Sequence, residues 1–357
     1  MPAIAVAGLH LIDMPRAFIV GLSGPKLTDA EASFLRAASP AGLIIFKRNA
    51  KAPDQLERLI AEAREAVGDV DLLFMVDQEG GRVQRLLGSR WPQLPPARSY
   101  ADRFGTEAHG PQACRHAYLI AQLTALQLRS VGINTNCVPC VDKPVVGAHE
   151  VIGQRAYGEQ IEVIVPLARA VAEAHLSLGV LPVMKHIPGH GRANADSHFT
   201  LPRVETDRSV LEETDFKIFR DLRDLPVAMT AHVVYTAIDA EHAATASPKI
   251  IGKIVRESIG FAGLLVSDDI SMKALVGPLG ERVKRALGAG CDLILHCNGR
   301  LDEMEQVAAS ARELAGASLT RYRHCVKLTK VQPSSFNIKE AEIALATQMA
   351  FVSTSTS

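Results

Sequence analysis

The sequence predicts an α/β fold, a (β/α)8 TIM barrel in a single domain with a short C-terminal extension. Three observations predict it. Eight short apolar runs recur along the chain, at residues 17–21, 42–46, 72–76, 133–139, 180–184, 227–230, 263–267 and 292–296. Continuous rather than alternating hydrophobicity marks strands buried on both faces, as in a parallel sheet. Helix-length segments separate most of these runs, which is the alternation of a barrel. Polar residues then cluster just past several runs, where the active-site loops of a barrel arise.

Each connecting element has its own signal. Residues 53–67 begin at a proline and carry Leu56, Leu59, Ile60 and Ala63 on one face, the start signal and period of an amphipathic helix. Residues 80–110 contain Trp91, Pro92, Pro95 and Pro96 with little periodicity, and read as the longest insertion. Residues 113–130 and 161–178 are long and amphipathic. Residues 207–222 open on an acidic residue and repeat Val210, Leu211, Phe216, Ile218 and Phe219, predicting one helix. Residues 281–289 and 302–315 complete the helical set. The barrel is expected over residues 1–330. An extension follows over 331–357, with a helix at 336–351 and a frayed Ser/Thr-rich end. A doubly wound sheet is the alternative, but no G-x-G-x-x-G follows the first strand.

Composition narrows the function. The 357 residues carry 39 basic and 39 acidic side chains, so bulk electrostatic attraction to nucleic acid is not expected. Aromatic content of 5% argues against base-stacking platforms. Hydrophobic content of 47% suits a globular core. Neither a membrane-length apolar run nor a secretory signal is evident, so the expectation is a cytoplasmic protein. Cys137 and Cys140 form a CxxC, but with no second pair they read as buried thiols of a reducing compartment.

The chemistry concentrates in a few stretches. Lys185-His186-Ile187-Pro188-Gly189-His190-Gly191 and then Asp196-Ser197-His198 follow the fifth strand. Asp77 to Arg85 follow the third strand, His232 the sixth, Asp268 the seventh and Asn298 the eighth. Polar groups at so many strand ends suit a polyhydroxylated ligand better than a set of helix caps.

These motifs, with Ser267-Asp268-Asp269-Ile270-Ser271-Met272, resemble glycoside hydrolase family 3 from about Gly21 to Asn298. The resemblance is to its bacterial single-domain β-N-acetylglucosaminidases of peptidoglycan recycling. It implies retaining hydrolysis of terminal β-linked N-acetylglucosamine from anhydromuropeptides, with no metal or other cofactor. By that resemblance Asp268 is the nucleophile, a carboxylate that forms a glycosyl-enzyme. Asp269 would point oppositely on a regular strand and is expected to be structural. His198 resembles the general acid/base and Asp196 its partner. A histidine suits the role because its pKa lies near neutrality. Asp77, Arg85, Arg155, Lys185 and His186 match substrate-holding positions, with Asp77 accepting sugar hydroxyls and Lys185 and His186 donating to them. His190 is expected to shape its loop. Relatives commonly carry Gly-Asp-Thr after Gly-His-Gly, whereas Arg192-Ala193 follows Gly191 here. That departure touches the loop rather than the Asp-Ser-His core.

Two other enzymes use compatible residues. A metal-dependent barrel hydrolase would ligate through His186, His190, Asp196 and His198, yet no H-x-H follows the first strand. A glycoside phosphorylase would exploit a histidine acid/base that does not repel phosphate. A sugar-binding protein without turnover is the non-enzyme alternative. The partner in every case is a small molecule, and the oligomeric state stays open.

Overall fold

The computed structural model describes residues 14–68, 71–88, 90–195, 197 and 200–355. Eight parallel strands close into a barrel in chain order. They are β1 (Arg16–Gly21), β2 (Pro40–Ile45), β3 (Leu73–Val76), β4 (Thr135–Asn136), β5 (Leu181–Ile187), β6 (Val227–Thr230), β7 (Leu264–Asp269) and β8 (Leu293–His296). β8 pairs with β1 through Phe18–Ile294, Ile19–Leu295 and Val20–His296, which closes the ring. Every one of the eight expected strands is present. β2, β3, β5, β6 and β8 are buried along their whole length, as continuous apolar runs require.

β4 is shorter than its apolar run. Pro139 has no N–H to donate to a ladder, and only a bridge from Cys140 to Lys185 continues the pairing. This early release frees residues 140–142 to turn over the barrel mouth.

Helices cover the outside of the ring. Asp29–Ala38, which the apolar spacing did not single out, is held by a capping box between Thr28 and Glu31. Pro53–Val67 starts on its proline and ends at Gly68 with φ 98°. Pro111–Ser130 packs along Ile161–Ser177. A π-helical Ile250–Ser258 and the helix Gly316–Thr329 were also not expected.

Two expected helices are corrected. Residues 207–222 break at Thr214 into Arg208–Glu213 and Asp215–Asp221. Thr214 Oγ1 donates to Val210 O and to Asp215 Oδ2, and Arg192 Nε reaches the same buried carboxylate oxygen at 2.6 Å. The second correction lies near the chain end. Leu301–Ser310 stops before residue 315 because residues 311–314 leave to pair with the start of β1, through Ala17 N to Arg312 O and Leu314 N to Pro15 O. The C-terminal helix runs Ile338–Ser355, beyond the expected end, and lies on Pro111–Ser130. Gln348 anchors it, donating to the Ser99 carbonyl and accepting from Arg103.

Candidate active site

The C-terminal ends of the strands surround a cavity of about 280 Å3. Asp77 leaves β3 and leads into a small hairpin, Gln78–Gly80 against Val83–Gln84. Gly80 turns that hairpin at φ 99°, and a Cβ there would lie 2.2 Å from Pro95 O. The insertion at residues 80–110 therefore packs directly under the hairpin and fixes its angle.

The hairpin carries the outer half of an ionic network. Lys185, on β5, is 2% exposed, and its Nζ donates to Asp77 Oδ1 at 2.8 Å and meets Glu79 Oε1 at 2.6 Å. Arg155 clamps Glu79 from the other side, Nε to Oε2 at 2.8 Å and Nη2 to Oε1 at 2.9 Å. Arg85 Nη2 holds Asp77 Oδ2 at 3.0 Å. Burial pushes Asp77 and Glu79 up, but the neighbouring cations outweigh it. Lys185 and Arg85 hold Asp77 well below the ordinary range, and Arg155 and Lys185 bring Glu79 down to about 2. Burial in turn opposes the Lys185 charge, and the two carboxylates overcome it and raise its pKa.

Asp268 lies in β7, where Asp269 ends the strand, and lines the same cavity with 19% of its side chain exposed. Burial alone would raise its pKa; His186, His232, the Asp269 amide and Lys185 together lower it. The carboxylate is therefore ionised and reachable. Among the described residues, His186 faces it, with Nε2 at 4.0 Å from Asp268 Oδ2. Asp269 faces elsewhere, as alternation requires. Its Oδ1 accepts from Ser271 N at 3.0 Å and from Cys297 N at 3.2 Å, tying β7 to β8.

Asp77, Arg85, Arg155, Lys185, His186 and Asp268 all line this one cavity. Asp196 and His198 lie outside the described residues, and Ser197 between them lines it too. His190 joins them, its Nε2 3.3 Å from Ser197 Oγ. Burial, with His186 beside it, holds His190 down at about 4, so it is neutral at physiological pH. Both Asp77 oxygens already take an N–H, which leaves each one further lone pair for a hydroxyl rather than a free carboxylate. Two strand-end residues do not reach the cavity. Asn298 turns onto its own loop, accepting from Arg300 N at 2.9 Å and donating to Glu303 in the next helix. His232 is buried between Thr245 Oγ1 and the Asp269 carbonyl.

Sequence reasoning gave no role to Glu79, Arg82 or Asp142. Glu79 was legible in principle, since in an extended strand it shares a face with Asp77. Arg82 also lines the cavity, and its Nη2 holds the Val151 and Glu150 carbonyls, pinning the loop that carries Arg155. Asp142 follows β4 and binds His186 Nδ1 at 2.6 Å.

Among the described residues, one grouping has metal-type donors: Cys140, Asp142 and His186, with ligating atoms within 4.8 Å of one another. It differs from the histidine set expected for a metallohydrolase. Its donors already satisfy each other, because both Asp142 oxygens accept protons from neighbours. Cys137 and Cys140 are buried free thiols, and burial pushes both up.

Similarity to known proteins agrees with this geometry. The glycosyl hydrolase family 3 N-terminal domain matches residues 6–325. A beta-hexosaminidase of Alkalilimnicola ehrlichii is 38% identical over 284 residues, spanning 78% of this chain and 80% of that protein. One of Methylococcus capsulatus is 38% identical over 281 residues, spanning 78% and 81%. The crystal structure of NagZ from Neisseria gonorrhoeae in complex with N-trifluoroacetyl-D-glucosamine superposes with a TM-score of 0.83 at 27% identity. That match covers 95% of this chain and 99% of that one. With a barrel, an ionised carboxylate in a polar cavity and relatives of this identity, the chain belongs to glycosyl hydrolase family 3 and is an enzyme of that family's beta-hexosaminidase group.

Proposed function

We propose that the chain removes terminal, non-reducing β-linked N-acetylglucosamine by a retaining mechanism. Asp268 acts as nucleophile, His198 as general acid/base and Asp196 as its partner. One observation carries the reading: among the described residues, the Asp268 carboxylate is ionised and accessible in a cavity whose other two carboxylates, Asp77 and Glu79, are already paired with cations. At about 280 Å3 the cavity is at the small end for ligand sites. It suits one pyranose, and hence removal of a terminal residue. The amino-sugar analogue held by the Neisseria gonorrhoeae relative supports the same substrate class.

In the first step an Asp268 oxygen bonds to the anomeric carbon while the glycosidic oxygen leaves, taking a proton from His198. In the second, His198 takes a proton from water, the water oxygen bonds to the same carbon, and the Asp268 ester bond breaks. Asp196 orients the imidazole and stabilises its charged form, as an aspartate does in hydrolytic triads. The roles of Asp196 and His198 rest on the motif resemblance. Asp77 and Lys185 each retain hydrogen-bonding capacity for the sugar rim.

The physiological substrate in this reading is a muropeptide fragment in the cytoplasm. No helix among the described residues is long and apolar enough to cross a membrane. Trapping with a 5-fluoro glycosyl fluoride of N-acetylglucosamine, followed by peptide mapping, tests the proposal. The label is expected on Asp268. A label elsewhere, or inversion of configuration without trapping, would refute it.

A further inference from the structure

We propose that Asp142 is a positioning residue for this reaction: it sets which nitrogen of His186 faces the nucleophile and ties the root of the acid/base segment to the sugar site. The proposal rests on the retaining reading above.

Asp142 is fully buried and does not line the cavity. Its carboxylate holds two segments at once. Oδ1 accepts the backbone N–H of His186 at 3.1 Å and of His190 at 2.6 Å. Oδ2 accepts His186 Nδ1 at 2.6 Å and the Cys140 thiol at 3.4 Å. These four contacts use about all the acceptor sites a carboxylate has.

Two consequences follow from the chemistry of an acceptor-only group. The His186 nitrogen facing Asp142 must carry a proton, because an ionised carboxylate has none to give. Burial raises the Asp142 pKa, but His186 and the His190 amide outweigh it, so the carboxylate is ionised. Nε2, which faces Asp268 at 4.0 Å, is then the acceptor nitrogen of the neutral ring. A neutral His186 offers it as an acceptor to a hydroxyl, and a charged one offers it as a donor. The second consequence concerns the loop. His190 Nε2 lies 3.3 Å from Ser197 Oγ, and Ser197 stands between Asp196 and His198 in the chain. Its carbonyl in turn accepts from Ala274 N, just past β7. By gripping the His190 amide, Asp142 places the start of this segment relative to the histidine beside the nucleophile.

Asp142→Asn tests the idea. The amide oxygen can still accept both backbone N–H groups, but the amide nitrogen donates toward Nδ1. The His186 proton is then driven to Nε2. Nitrogen NMR of histidine-labelled protein, with His186 assigned by its loss in His186→Gln, reads the tautomer. The wild type should keep Nδ1 protonated, and the variant should switch. kcat should fall by at least about 10–100-fold, the loss typical when the carboxylate partner of a metal-bound histidine is removed, with a smaller change in KM. Asp268 should still be labelled by the fluoro sugar, but more slowly. A variant trapped at the wild-type rate, or a wild type with neutral His186 protonated on Nε2, overturns the proposal. The second result does not need Asp142→Asn, so a failure of that variant to fold leaves the test intact. Loss of Asp268 labelling in the wild type would instead refute the retaining reading.

Discussion

Glu79→Gln isolates the residue on which two buried cations converge. Lys185 and Arg155 approach its carboxylate within 2.6–2.9 Å, and its side chain is 6% exposed. Burial raises its pKa, and Arg155 and Lys185 more than offset this, taking it from 4.5 to about 2. At about 1.36 kcal/mol per tenfold change in the ionisation constant, that difference is about 3 kcal/mol of stability. It also matches the roughly 3–5 kcal/mol expected when one partner of a buried ion pair is removed. The sign follows from the direction. A carboxyl with a depressed folded-state pKa stabilises fully above its unfolded value of 4.5 and loses this contribution as pH falls toward 2. Urea unfolding at pH 7 should therefore show Glu79→Gln less stable by about 3 kcal/mol. The gap to wild type should close as the pH drops below about 4.5. Turnover should fall as well, since Arg155 and Lys185 share this anchor. Equal stability at pH 7, or a gap that stays constant on acidification, would refute the charge-pairing argument.

Three further outcomes are expected. His198→Ala should slow hydrolysis of a poor leaving group by about 10²–10⁴-fold, and of a nitrophenyl glycoside by less in the glycosylation step; equal effects in single-turnover kinetics would remove His198 from the acid role. Gly191→Ala should destabilise by at least about 1–3 kcal/mol, since an added Cβ would lie 1.9 Å from the Lys143 carbonyl oxygen; an unchanged melting temperature would contradict that contact. Turnover in phosphate buffer should release free N-acetylglucosamine at the rate seen without phosphate. Accumulation of the sugar 1-phosphate would instead make the enzyme a phosphorylase.

The barrel was legible because its signal is local. A strand buried on both faces is mostly apolar, so each of the eight runs announced itself. Chain order then became ring order because consecutive parallel strands lie side by side. Much of the cavity lining was legible for a related reason, because residues at or just past the strand ends tend to face the barrel mouth. Asp268 lines the cavity while Asp269 binds the Cys297 amide, the opposite facing of consecutive strand residues, although the pairing with β8 shifts register just before them.

What stayed hidden depends on contacts between distant parts of the chain. Residues 207–222 carry an unbroken apolar pattern, yet the helix breaks at Thr214, where the buried Asp215 meets Arg192 from a distant loop. Asn298 and Asp268 both follow apolar runs, yet one is taken up by Arg300 N and Glu303 and the other lines the cavity. Glu79 and Asp142 look like ordinary loop acids until folding brings Lys185 and His186 against them. A sequence records which groups are charged and which segments are apolar. Which charges are buried together is decided only when the ring closes, because desolvation and pairing act through space rather than along the chain.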